Sequence, residues 1–198
     1  MSVISLQKGQ KIDLTKGNAN LTNILVGLGW DPQQGHGPNI DIDSSVLMLD
    51  QNGKIAKSGG FLGMGGQKYV VSFRNLKSPC GSVIHKGDNL TGGGDGDDEQ
   101  IFVDLKKIPE NIHKILFVVN IFACESRRQD FGRVRNAFIR LVNQADKKEM
   151  CRFNLTDDYS GKTALIVAEI YRHSGEWKFN AIGEGTKDTS IEGIEDRY

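Results

Sequence analysis

Apolar residues along this chain fall in short runs rich in Val, Ile and Phe, and glycines separate the runs. β-Branched and aromatic side chains suit a pleated surface, and glycine supplies the turns between strands. The pattern predicts strands at residues 22–30, 44–49, 69–73, 100–105, 114–122, 135–143, 150–154, 163–171 and 177–182. The clearest is KILFVVNIF, from Lys114 to Phe122. Turn signals reinforce the reading, with Gln51-Asn52-Gly53 following Leu49 and Ser174-Gly175 separating the last two strands. Two segments are ambiguous by periodicity. In VRNAFIRLV, residues Val134, Ala137, Phe138 and Leu141 also fit a helical stripe, and TALIVAEIY shares the problem. The all-β character of the remainder decides for strands.

The expected fold is therefore all-β, a sandwich or barrel with glycine-rich loops, over residues 1–183. Residues 184–198 are polar and small with two isolated isoleucines, Ile191 and Ile194. They read as a polar tail, either disordered or a weak terminal helix. The segment SGGFLGMGG, residues 58–66, stands outside the strand pattern. Its Phe61, Leu62 and Met64 serve either as a contact point or as residues tucked beneath the loop.

Composition narrows the functional classes. The chain has 198 residues with a formal net charge of zero. Neutrality gives no basis for general nucleic-acid or anionic-membrane binding. No apolar run approaches the roughly 20 residues of a membrane-spanning helix, and MSVISLQKGQ lacks the basic start and apolar core of a secretory signal. A cytoplasmic protein is expected. Cys80, Cys124 and Cys151 are odd in number, far apart and without CxxC spacing. That argues for reduced, buried thiols, and against a disulfide frame or zinc site.

Neutrality overall conceals one acidic stretch, DNLTGGGDGDDE, from Asp88 to Glu99. Asp88, Asp95, Asp97, Asp98 and Glu99 supply carboxylates, and Asn89 an amide oxygen. The intervening glycines let the backbone turn its carbonyls inward. Calcium takes six to eight oxygen ligands at about 2.3–2.6 Å, which matches this donor set. Zinc and copper favour His and Cys, and neither occurs between Asp88 and Glu99. Magnesium keeps its waters and suits so dense a protein cluster less well. An EF-hand is excluded, because Leu90 and Gly92 fall where that loop requires oxygen ligands. A solvated acidic hairpin loop remains the bland alternative. A second acidic feature is NIDIDSS, where Asp41 and Asp43 alternate with Ile40 and Ile42. In a strand both aspartates project from one face, and their repulsion invites a cation. Asp31, ending the strand TNILVGLGWD, reads equally as a further ligand or as a strand-end turn residue.

The segments GLGWD, DIDSS, HKGDNLTGGGDGDDE, VDL, NAFIRLVN and YRHSGEWKFNAIG resemble, in order, the hallmarks of the TerD-type tellurium-resistance and stress-response family. The resemblance runs from Val3 to Gly185, with residues 58–66 and the tail as departures. It implies a two-sheet sandwich binding one or two calcium ions at one edge. It maps acidic ligands onto Asp41, Asp43, Asp88, Asn89, Asp95, Asp97, Asp98 and Glu99. It also implies a non-catalytic scaffold or sensor in a stress-response assembly of proteins, linked to tellurite and other toxic or oxidative stress. The sequence sets no oligomeric state.

Enzyme readings carry less. His36, His85, His113 and His173 are dispersed, and none sits in a catalytic pattern. His85, three residues before Asp88, reads as an ordinary strand residue. The glycines of the acidic loop lack the GxxxxGK[ST] of a phosphate loop. A bound calcium would still reverse the local field, so a calcium-dependent binder or metal-dependent enzyme for a phosphate-containing molecule, such as a cyclic nucleotide, is the alternative.

Overall fold

The computed structural model describes residues 3–32, 40–59, 65–87 and 96–198. Among these, the strands are β1 (Ile4–Leu6), β2 (Lys11–Asp13), β3 (Asn23–Pro32), β4 (Ile42–Leu49), β5 (Val70–Val71) and β6 (Val83–His85), followed by β7 (Glu99–Asp104), β8 (Lys114–Ile121), β9 (Val134–Asn143), β10 (Glu149–Asn154), β11 (Ala164–His173) and β12 (Glu176–Thr186). Two short α-helices are α1 (Cys124–Arg127) and α2 (Ile191–Glu195).

The strands form two six-stranded sheets, a first in the order β1-β10-β9-β3-β7-β6 and a second in the order β2-β12-β11-β8-β4-β5. All pairings are antiparallel except β1 with β10, where Ile4 lies opposite Cys151 in a parallel register. The expected two-sheet sandwich is thus present, with one parallel pair at an edge. Side chains alternate as period 2 requires. Ile24, Val26 and Leu28 of β3, Ile101 and Val103 of β7, and Ile139 and Leu141 of β9 face Ile42, Val46 and Met48 of β4, and Ile115, Phe117 and Val119 of β8, across the interior.

Both ambiguous segments are strands. On β9, Ile139 and Leu141 enter the core while Arg140 between them stays half-buried, which a helical stripe would not produce. The Ser174-Gly175 turn closes β11 onto β12, with His173 opposite Glu176 and both turn residues at positive φ, the geometry that matches strand twist. At Asp50–Lys54, Gly53 takes a φ of 75° and Asp50 N–H donates to the Lys54 carbonyl. Three strands lack a signal in the sequence: β1, β2 and β6 are each only three residues long. Conversely, the strand expected at 69–73 shortens to Val70–Val71. Phe61, Leu62 and Met64 lie outside the described residues.

The chain beyond residue 183 folds onto the body. Strand β12 runs to Thr186, and the Ser190 hydroxyl then caps α2 by accepting from Gly193 N–H. Ile191 and Ile194 pack on Leu47, Leu49, Leu116, Val118, Ala164 and Ile166, the outer face of the second sheet. Arg197 pairs with Asp188 at 2.7 Å, Lys68 with Glu195 at 2.6 Å, and Ile55 N–H donates to the Tyr198 carbonyl. The two isoleucines that look isolated in sequence are the anchors of a cap. No helix among the described residues is long and apolar enough to cross a membrane.

Ile194 is fully buried in that cap. Ile194→Ala should cost about 2–3 kcal/mol, at the low end for a buried isoleucine because the helix is short. For a chain of this length the melting temperature should fall by roughly 4–12 °C, measured by calorimetry or circular dichroism.

Candidate functional site

Three of the candidate ligands, Asp88, Asn89 and Asp95, lie outside the described residues. Asp31, Asp97, Asp98 and Glu99 lie along the β3–β7 pairing, and Asp41 and Asp43 share one face of the segment that enters β4. Among the described residues, no group of three His, Cys, Asp or Glu side chains is disposed to hold a metal by itself.

Extended backbone entering β4 separates its residues by alternation. Ile40 and Ile42 enter the core, and Asp41 and Asp43 point to the opposite face. Both aspartates are nevertheless buried, at 9% and 5% exposure. Asp43 lies opposite Asn120 on β8, and with Ser45 it lines a small cavity of about 120 Å³ reached by Thr189 and Ser190. The Asp41 carboxylate stands 3.8 Å from the Arg127 guanidinium.

Ser44, the residue after Asp43, lies on the inward face with Ile42 and reaches across the sandwich to Glu99 at the start of β7. Ser44 N–H donates to Glu99 Oε2 at 2.7 Å, although the two strands belong to different sheets. His85, at the end of β6, completes the cluster. Its Nε2 is 2.9 Å from Ser44 Oγ and 3.4 Å from Glu99 Oε2. Its Nδ1 accepts from Gly87 N–H at 3.1 Å. An accepting Nδ1 carries no proton, so the ring proton is assigned to Nε2, which donates to Ser44 Oγ. The Ser44, His85 and Glu99 residues are all 1–2% exposed. The second carboxylate oxygen, Glu99 Oε1, is buried with no hydrogen-bond partner among the described residues.

Asp98 and Asp97 approach β3 from the other side. The Asp98 N–H donates to the Leu28 carbonyl, and its Oδ2 accepts from Trp30 N–H at 2.7 Å. Burial pushes the Asp98 carboxyl above the usual carboxylate range. The Trp30 N–H opposes that shift, and Asp31, Asp97 and Glu99 add repulsion. A carboxyl raised on folding destabilises the fold as pH climbs through its folded value, because the native state holds the proton longer than the unfolded one. Ionised Asp98 is therefore held in the fold at a cost, chiefly from its burial.

Asp97 has a different setting. Arg140 Nε and Nη2 grip its two oxygens at 2.7 and 3.0 Å, and Gln100 donates to one of them. Arg140 Nη1 also holds Glu149 at 2.9 Å. The Asp97 side chain is wholly buried, lying in the space over Gly27, where a Cβ would fall 2.2 Å from its Oδ1. Gly29, next on the same face, leaves room for the Phe138 ring and the Gly96 carbonyl. Glycine at these two positions is thus a close-approach requirement, which lets the acidic loop's trailing stem lie flat on the sheet. Asp31 is exposed, and its Oδ2 accepts from Asn136 Nδ2 at 2.7 Å.

Sequence reasoning passed over Ser44, His85, Gly27 and Arg140. The spacing His85-x-Gly87 ahead of the acidic run was the available signal for His85. Nothing local marks Arg140, whose role depends on a strand pairing. Cys124 and Cys151 are held as thiols by their burial. All three cysteines are free; burial pushes Cys151 up to about 12 and raises Cys124 as well, so neither forms thiolate readily near neutral pH.

Two measurements test this geometry. Arg140→Met strands the buried Asp97 carboxylate and should cost about 2–3 kcal/mol in denaturant unfolding, less than a fully buried pair because Arg140 is 27% exposed. Gly27→Ala should destabilise through collision with Asp97, and Gly27→Ala combined with Asp97→Ala should recover part of the loss. For the cysteines, a disulfide reagent at neutral pH should modify half-buried Cys80 quickly in the native state and reach Cys124 and Cys151 only on unfolding.

The comparisons agree on kinship. The TerD domain family model matches residues 1–198. The chain is 55% identical to the stress response protein SCP2 of Bacillus subtilis, covering 98% of each chain. It is 49% identical to general stress protein 16U of the same organism, over 92% of this chain and 90% of that one. It is 45% identical to the tellurium resistance protein TerD of Serratia marcescens, again over 92% and 90%. A solved structure of a telluride resistance protein (TerD) homologue from Streptomyces coelicolor superposes with a TM-score of 0.66 at 23% identity, covering 87% of this chain and 94% of the other, and shows the shared fold. The chain belongs to the TerD domain family of tellurium-resistance and general stress-response proteins.

Proposed function

We propose that this protein is a non-catalytic, calcium-binding scaffold or sensor that acts with other proteins in a cytoplasmic stress response, including resistance to tellurite. The observation that carries the reading is Glu99 Oε1. It is a buried carboxylate oxygen without a hydrogen-bond partner among the described residues, at the end of an acidic loop whose side-chain donors are all oxygens. Leaving such an atom unsatisfied costs free energy, and a hard cation supplies the partner it lacks.

The residues that would hold the ion are Glu99 and Asp98 together with Asp88, Asn89 and Asp95 of the loop, while Asp41 and Asp43, turned to the other face of their segment from the Glu99 contact, would serve a second ion. Asp97 supports them indirectly, since its oxygens are committed to Arg140. Bound calcium would supply the positive charge that relieves the repulsion around Asp98. The non-catalytic reading draws support from His85, the histidine nearest the loop, which is buried and occupied with Ser44 and Gly87.

Calorimetry on the full chain should show calcium binding with Kd on the order of 10⁻⁷ to 10⁻⁵ M, with millimolar magnesium competing weakly. Glu99→Gln should weaken binding at least tenfold, about 1.4 kcal/mol. Saturating calcium at a hundredfold excess over Kd should add about 2.7 kcal/mol of stability, which chelation removes. Absence of calcium heat, or wild-type affinity in Glu99→Gln, would overturn the reading.

A further inference from the structure

We infer that His85 is a positioning residue for the cation site, fastening both stems of the acidic loop from beneath it. The inference rests on the proposed calcium role of Glu99 and extends it to residues in the sandwich interior.

The acidic loop leaves β6 after His85 and returns at Glu99, the first residue of β7. Its leading stem passes through Gly87, whose φ of 111° is open to glycine and strained for other residues. Gly87 N–H is held by His85 Nδ1. Its trailing stem ends at Glu99, whose Oε2 is held by Ser44 N–H. His85 Nε2 holds Ser44 Oγ. One imidazole thus touches the leading stem directly and reaches the trailing stem through Ser44. Since the Gly87 N–H occupies Nδ1, the ring is locked in one tautomer.

The consequence for Glu99 is orientation. Anchoring Oε2 on Ser44 leaves Oε1 as the oxygen aimed elsewhere, and it is the one without a hydrogen-bond partner among the described residues. A ligand oxygen held in place by a partner on its sister oxygen is the arrangement by which outer-shell contacts tune metal sites, and removing such partners costs typically 10–100-fold in affinity. His85 is also isolated from solvent, at 2% exposure, so its ring has no competing water.

The experiment compares His85→Leu, His85→Gln and Ser44→Ala with wild type by calcium calorimetry, alongside melting in chelator. Glutamine places an amide N–H near the original Nε2, so it preserves the donor to Ser44 Oγ, whereas leucine removes it. Ser44→Ala removes the acceptor but keeps the backbone N–H on Glu99. Expected results are a tenfold or greater loss for His85→Leu, a loss of several-fold for Ser44→Ala, and recovery to within about threefold of wild type for His85→Gln. Calcium should also shift the ¹⁵N signals of the His85 ring while leaving those of His113 and His173 in place. If His85→Leu does not fold, Ser44→Ala and the ring shifts carry the decision. Wild-type affinity in Ser44→Ala together with unmoved His85 signals overturns the positioning role and leaves the calcium reading standing. Failure of the wild type to bind calcium overturns both.

Discussion

A carboxylate buried between two β-sheets is the constraint on which this end of the molecule depends. Glu99 sits at 1% exposure, on the inner face of one sheet, and accepts from a backbone N–H of the other. An apolar interior tolerates such a group only when its oxygens are answered. One is answered by Ser44; the other turns the burial into a demand for something further. The surrounding arrangement serves the same end. Asp98 is fixed on the β3 backbone, Asp97 is neutralised by Arg140, and Gly27 and Gly29 clear the floor on which their stem rests. The sandwich is consequently most polar inside where its loops are most acidic outside.

The strands were legible wherever an apolar alternation or an unbroken apolar run was long enough. β7 and β12 alternate, whereas β4, β8 and β11 are apolar on both faces and declare themselves by their β-branched and aromatic content. What escaped was short. β1, β2 and β6 have three residues each and exist because a neighbouring strand offers them an unpaired edge, information that no local window contains. Ile191 and Ile194 escaped for a related reason. In a polar stretch two isoleucines carry no periodicity, yet the exposed outer face of the second sheet gives both a place to pack.

The candidate site divides in the same way. Carboxylates advertise themselves, so Asp41, Asp43, Asp97, Asp98 and Glu99 were all visible as an oxygen-rich set. Their separate settings were not. Asp97 and Asp98 are adjacent in sequence, but one faces a guanidinium and the other a tryptophan backbone amide. That difference arises because Gly27 pairs with Arg140 across the β3–β9 ladder, a contact between distant segments. His85 was read as an ordinary strand residue because its partners, Ser44 and Glu99, come from another sheet and another strand.

The placement of the first two strands has a consequence for how the chain reaches this state. β1 lies at an edge of one sheet against β10, and β2 at an edge of the other against β12. As the polypeptide emerges from the ribosome, the opening thirteen residues therefore have nothing to pair with until the closing third has been made. Neither sheet can seal those margins until β10 and β12 have been made, and both are finished by docking of segments far apart in sequence. Contacts of such separation close slowly, since a long loop's entropy is lost before the pairing repays it. β1 and β2 are made well before the strands they pair with and are among the last to find their place.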